Sequence, residues 1–457
     1  MSAGLRARAR RLLVCCAVAF PGFAFVAAAQ PVPAPPAGDA ARLTHDYVVE
    51  FYPLWFTYNQ RHARNTNVMV GPDKVTPIYQ TVVAINVDTL YASSFLDLSS
   101  EPAVLTVPKT DVTYSVLGLD PYGDVFKTGI DTEARGIYLL TGPGYQGNPP
   151  DKVKAIQIPY ANTILIFRAD KHTSSGQDVE RAAEQFREGL KLQTLSQWKQ
   201  NPKGGAAKIL REIFFAKPFK TIADATIAKN PIQFLQQLQT AVAAPQTPPM
   251  SARQQTLSDG FNALFKARKS DLPFALGAKT AHADILNDYL KHTGATQWIH
   301  FLNIGVWGAN ESLDRSAITE FIQYGNDIKA AAYYQSFNDG SGNPLDGTDP
   351  KGYVLQIPKD KIPQAKRFWS FTLYTPQSIE LAKNEAAKYA VASYTNNLKT
   401  NPDGSITIAI ARTRPAGVPE PNWLPAPKGP FNVMLRVYGP EGSVADDTYV
   451  PPAIVKR

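Results

Sequence analysis

The chain has 457 residues, 44% of them apolar and 19% charged, so it can bury the cores of two or three domains and is not a disordered chain. A formal charge of +8 is small for this length and argues against a nucleic-acid partner. The 37 prolines and 30 glycines, beside 20 tyrosines and 22 phenylalanines, favour β structure with many turns.

Arg6, Arg8, Arg10 and Arg11 precede an apolar run at 12–26 and then Ala27-Ala28-Ala29. This is the pattern of a signal peptide over 1–29, cut after Ala29, and it predicts a periplasmic or secreted protein. A Pro/Ala-rich linker fills 30–42. Cleavage removes Cys15 and Cys16, the only cysteines, along with four arginines, so the formal charge falls from +8 to +4. Disulfide and thiol chemistry are thereby excluded. No later apolar run reaches the length of a membrane span, so no transmembrane segment is expected in the mature chain.

The spacing predicts a helix over 43–64, with Val48, Phe51, Leu54 and Trp55 on its apolar side and Pro53 kinking it or starting a second helix. Short apolar runs between turn residues then predict strands at 103–107, 113–119, 136–140, 154–158 and 163–168, a spacing that suits a sandwich or barrel. Helical periodicity returns at 178, with further helices predicted at 206–215, 232–242, 254–268, 281–291 and 312–334. Strands resume at 353–357, 368–374, 405–411 and 431–438. The reading is therefore an N-terminal β domain at 43–175 with a leading helix, a helical segment at 176–335 and a C-terminal β domain at 336–457. A faint internal echo links 104–109 to 354–359, 114–121 to 369–376, and 164–168 to 433–436.

Two stretches carry a family resemblance. The run Asn86-Val87-Asp88-Thr89-Leu90-Tyr91, followed by 120–126 and the Thr141-Gly142-Pro143-Gly144 turn, resembles the bacterial domain-of-unknown-function family 1254. Ile85 stands where that family has proline, Val87 where it has alanine, and 130–135 replaces a Thr-Thr-Gly stretch. Pro344-Leu345-Asp346-Gly347, the 368–374 strand, Asn422-Trp423-Leu424-Pro425 and Arg436-Val437-Tyr438-Gly439-Pro440 resemble the companion family 1214. The resemblance implies a mainly β chain with helices, in which two jelly-roll-like β-sandwich domains are separated by a helical segment. It implies no reaction.

Nucleophile-elbow, zincin, phosphate-loop and dinucleotide signatures are absent from the sequence. Residues 339–347 start like a calcium loop, but Pro344 stands where such a loop needs glycine, so a hairpin loop is expected. His282, His292 and His300 lie ten and eight residues apart, which puts no two on one helical turn, and neither metal nor cofactor is expected. In an extended strand Asn86 and Asp88 share a face, as do Asp120, Tyr122 and Asp124. Arg436 lies on an apolar strand and needs a carboxylate or an anionic ligand, with Arg168 as its counterpart in the first half. An ion pair inside the protein is the expected answer.

Two functions fit. One is an exported cell-envelope protein that binds a glycan or another small polar ligand in a pocket between sheets, with Asn86, Tyr91, Tyr122, Trp423 and Arg436 as binding candidates. The other is a carboxylate-dependent hydrolase or lyase acting on an envelope or environmental polymer, with Asp88, Asp120 and Asp124 as catalytic candidates. Missing catalytic signatures favour the first. Sheet edges would also allow a homo-oligomer.

Overall fold

A 24-residue helix, Asp39–His62, packs against four later ones, Pro231–Val242, Ala252–Ala267, Leu272–Lys291 and Ser312–Phe321. The computed structural model describes residues 39–77, 82–210, 218–245 and 248–457. The signal peptide expected at 1–29, its expected cut after Ala29 and positions 30–38 of the expected linker lie outside them, while positions 39–42 of that linker belong to the first helix. Tyr47, Val48, Phe51, Tyr52, Leu54, Trp55 and Phe56 are all buried, a span too wide for one stripe, so the helix needs partners on several sides. Pro53 sits inside this single continuous helix. Its missing N–H frees the Val49 carbonyl, and Ser316 Oγ donates to that oxygen at 2.8 Å, so the gap in the ladder is closed from the neighbouring helix.

The strands form two equivalent halves. In the first, the larger sheet runs Lys208–Leu210, Val70–Pro72, Thr89–Asp97, Asn162–Asp170, Tyr114–Leu119, Val125–Phe126; the smaller runs Lys154–Gln157, Gly136–Thr141, Ala103–Val107, Lys191–Thr194. In the second, the larger runs Ile299–His300, Ala331–Ser336, Asn432–Pro440, Ala365–Tyr374, Ala390–Ala392; the smaller runs Trp423–Pro425, Ile406–Ala411, Tyr353–Ile357, Ile454–Lys456. Leaving aside Lys208–Leu210, each half uses its strands in the same order. Its eighth strand lies between the second and fourth, and its seventh runs parallel to the sixth. The sequence echo therefore has a topological counterpart.

Strand alternation gives each larger sheet two apolar faces. Leu90, Ala92, Leu165 and Phe167 pack towards the smaller sheet of the first half, and Val433, Leu435 and Val437 towards that of the second. The opposite faces, with Tyr91, Phe95, Ile164 and Ile166 on one and Tyr333, Met434 and Tyr438 on the other, join the helices in one shared core. Trp369, Phe371 and Leu373 are buried together as their alternation predicts.

The fold is thus mixed α/β, and residues 176–335 are not purely helical. Lys191–Thr194 and Lys208–Leu210 complete the first half's sheets, so the strand at 208–210 replaces the start of the helix predicted at 206–215, whose positions 211–215 lie outside the described residues. The helix predicted over 312–334 stops at Phe321; Gln323 and Tyr324 have φ of 41° and 53°, and Ala331–Ser336 is a strand. Apolar periodicity alone did not separate the helix from the buried strand that follows it.

Gly277 sits where the Leu272–Lys291 helix meets the first: a Cβ there would lie 2.4 Å from the Ala41 carbonyl oxygen. Gly277→Val is expected to lower unfolding free energy by about 1–3 kcal/mol in denaturant titration, through overpacking against backbone. Gly260→Ala, whose Cβ would meet only Leu43 at 3.6 Å, is expected to raise it by about 0.5–1 kcal/mol.

Candidate functional site

Arg168 and Arg436 occupy equivalent places on the eighth strand of each half. Arg168 is registered opposite Tyr91 on one side and Ser115 on the other; Arg436 is registered opposite Tyr333 and Ser370. Directly opposed residues share a face, so a Tyr-Arg-Ser row crosses each larger sheet. Both arginines line one cavity between the halves. Its empty space, counted with its open mouth, is about 710 Å³, and Gln60 of the first helix and Arg64, just past that helix's end, form part of its wall.

Both guanidinium groups are buried, with 5% and 2% of Arg168 and Arg436 exposed. Arg168 donates from Nη1 to Asn326 Oδ1 at 3.1 Å and from Nη2 to the Tyr324 carbonyl at 3.0 Å, and lies 5.4 Å over the Tyr91 ring. Arg436 donates from Nη2 to the Ala84 carbonyl and lies 5.3 Å over the Tyr374 ring. Arg168 Nε and Arg436 Nη1 have no acceptor among the described residues. Neither arginine has a described carboxylate within 4.0 Å, so the ion pair expected from the sequence is not formed there. A guanidinium does not shed its proton, so both charges persist in the core.

The groups around them add donors. Tyr333 OH accepts from the Asn326 backbone N–H at 3.0 Å and from Asn326 Nδ2 at 2.5 Å. Tyr438 OH accepts from Asn86 Nδ2 at 3.0 Å. Each phenol therefore keeps its own proton for another acceptor, and neither has one among the described residues. Burial, then the neighbouring Tyr333 and Tyr91, pushes Tyr438 well above its ordinary pKa, so it remains a donor. Two arginines and two phenols converge as donors, an arrangement that receives an anion.

Asn86, Tyr91 and Arg436 thus line the cavity as a group. Asp88 lies behind it, buried, with Ser370 Oγ donating to Oδ2 at 2.7 Å and Tyr394 OH donating to Oδ1. Both oxygens are engaged by the second half, so Asp88 clamps the halves together. Asp120 Oδ1 accepts the backbone N–H groups of Tyr122 at 2.8 Å and Asp124 at 2.9 Å, closing its own turn. Burial, then Asp124, pushes Asp120 up to about 7, and burial also raises Asp124. Tyr122 packs under the Arg315 guanidinium at 4.8 Å, and Trp423 Nε1 donates to the Ala411 carbonyl at 2.7 Å. Neither Tyr122 nor Trp423 is part of the cavity wall. Sequence reasoning missed Tyr333 because it fell inside the predicted helix; Tyr438 stands two residues from Arg436 on the same strand face, a signal that alternation offered and that went unused.

A second buried cluster joins Lys220, Asp224, His282 and Glu320. Asp224, His282 and Glu320 bring ligand atoms within 4.8 Å of one another, as a metal site would. The Lys220 ammonium already bridges them, paired with Glu320 and lying 3.1 Å from Asp224, and Tyr52 OH donates to Glu320 at 2.5 Å. Burial disfavours the His282 charge, but Asp224 and Glu320 outweigh it and raise its pKa to about 9. The cluster is a charge network centred on the Lys220 ammonium, and it ties the Phe219–Lys229 helix to two others.

Residues 66–194 match the family described as protein of unknown function DUF1254, and 330–442 match protein of unknown function DUF1214. No curated protein matches the chain. The crystal structure of the VPA0106 protein from Vibrio parahaemolyticus is similar at 20% identity and a TM-score of 0.58, covering 92% of this chain and all of that one. An uncharacterized protein from Burkholderia cenocepacia is similar at 14% identity and a TM-score of 0.43, over 92% of this chain and 94% of that one.

Arg436→Met is expected to change unfolding free energy by no more than about 1–2 kcal/mol, the cost of orphaning the Ala84 carbonyl. A loss of about 3–5 kcal/mol would instead reveal a broken buried ion pair, and that larger loss is expected for Lys220→Met, which removes the nearer of the two cations beside Glu320 and leaves only His282. His282 has its folded pKa raised from 6.5 to about 9, so its contribution is fully present below pH 6.5 and is lost as pH rises through 9. Melting temperature is expected to fall across that window, and His282→Gln is expected to flatten the fall.

Proposed function

We propose that this chain, which carries a DUF1254 domain followed by a DUF1214 domain, binds a small anionic ligand in the cavity between its two β halves. The observation that carries this reading is the pair of buried arginines, both turned to one cavity and neither paired with a described carboxylate. Burying a cation without a counter-charge is costly, and a ligand that supplies the charge offsets that cost. Each half reads as a jelly-roll-like sandwich, with the helical segment between them forming part of the shared core. The basic, apolar and small-residue sequence of 1–29 supports a periplasmic or secreted location.

A carboxylate-dependent hydrolase is less well supported. Its acid and base need free oxygens facing substrate. Those of Asp88 are both engaged, and Asp120 is committed to a turn outside the cavity. A neutral glycan would want a mixed set of donors and acceptors with an exposed stacking ring. The groups here are dominated by donors.

The test is a thermal-shift and calorimetric screen of the purified protein against acetate, succinate, phosphate, sulfate and neutral saccharides. An anion is expected to raise the melting temperature by mass action, equivalent to about 2.7 kcal/mol at a hundredfold excess over Kd. Arg168→Met and Arg436→Met should each remove the shift. Stabilisation by neutral saccharides with no response to any anion would overturn the reading.

A further inference from the structure

A separate group of side chains lies on the far end of the Leu272–Lys291 helix. Asp288 is in the last turn of that helix and His292 is its C-terminal cap, four residues on and hence on the same face. Asp314 enters from the first turn of the Ser312–Phe321 helix. Asp288, His292 and Asp314 each offer a ligand atom, and the three atoms lie within 4.8 Å of one another. The two helices pack directly, so the spacing is fixed by the fold and not by a loop.

The Asp288 side chain supplies the independent sign of a ligand. The residue is only 8% exposed, its Oδ2 is buried with no hydrogen-bond donor among the described residues, and the side chain it faces is a second acid, Asp314. A buried carboxylate oxygen without a donor is costly unless something positive occupies the space beside it. Lys291 does not fill that role: its ammonium lies 3.8 Å from the other oxygen, Oδ1, on a largely exposed side chain. This contrasts with the Asp224, His282 and Glu320 group, where Lys220 already stands at the centre.

The surroundings hold the remaining ligands in place. Asn303 Nδ2 donates to Asp314 Oδ2 at 3.0 Å, which leaves Oδ1 facing His292 Nε2 at 3.7 Å. The His292 ring stacks on Phe301 at 3.8 Å between centroids, which fixes its plane. Outer groups of this kind orient ligands around an ion.

We propose that Asp288, His292 and Asp314 form a binding site for a divalent transition-metal ion of the zinc class. One imidazole and two carboxylates are too few oxygens for calcium, which takes six to eight. They suit zinc, which accepts three protein ligands and leaves a fourth position for water. His292 and Asp314 are partly exposed, so that position opens to solvent.

The experiment is titration of chelator-treated protein with zinc chloride alone, followed by calorimetry and by crystallography with anomalous data at the zinc edge. One zinc per chain is expected at this group. Asp288→Asn and His292→Gln should each weaken binding by about 100-fold or more, while His282→Gln leaves it unchanged. If a variant fails to fold, the anomalous peak in the unmodified protein decides the question. Absence of zinc binding, an anomalous peak elsewhere, or zinc affinity unchanged in folded Asp288→Asn would overturn the proposal.

Discussion

A guanidinium buried in apolar surroundings keeps its charge, and this chain buries two of them in one place. Arg168 and Arg436 each sit mid-strand in a larger sheet, on the face turned away from the partner sheet. Their fixed bonds run to backbone carbonyls and to Asn326, groups that orient a cation without neutralising it. The rest of the architecture can be read as the frame for that pair. Two larger sheets present equivalent rows of side chains, and the helices fill the remaining sides of the space between them.

The frame depends on contacts between distant parts of the chain. Asp88 of the first half accepts from Ser370 and Tyr394 of the second, and Arg367 of the second pairs with Asp170 of the first. Asn86 reaches Tyr438. The first helix is held by Ser316 at the carbonyl that Pro53 leaves free, and by Arg315, which pairs with Glu50 and donates to its carbonyl. These polar bonds are buried and partnered, so they fix one relative placement of halves and helices more tightly than apolar packing would.

Much of this was legible in the sequence, and the illegible part has a common physical cause. An arginine alone in an apolar strand announces itself, so Arg436 and its counterpart Arg168 could be named from pattern. Alternation misplaced Asn86 and Asp88, which precede the strand that starts at Thr89: Asn86 lines the cavity and Asp88 lies behind it. Pattern could not show that their partners lie in the other half, because that depends on which sheets face each other. The absence of a carboxylate near the arginines was equally hidden, and an internal ion pair was the natural expectation. Tyr333 was lost because apolar positions in 312–334 fit a helix as well as a helix, a turn with positive φ, and a strand. The Asp224, His282 and Glu320 cluster was hidden because it draws on helices far apart in the chain, whereas Asp288 and His292 stand four residues apart and lacked only a visible third ligand, Asp314.

The most direct test of the central claim is native mass spectrometry of the protein purified from its cellular compartment without denaturation or extensive dialysis. If the two arginines are held charged for a ligand, the chain should carry an adduct of a small acidic molecule. That adduct should be absent from a folded variant in which both arginines are methionine. A bare mass for the unmodified protein, unchanged after incubation with the recovered cellular anions, would contradict the account and leave the two buried charges without a purpose.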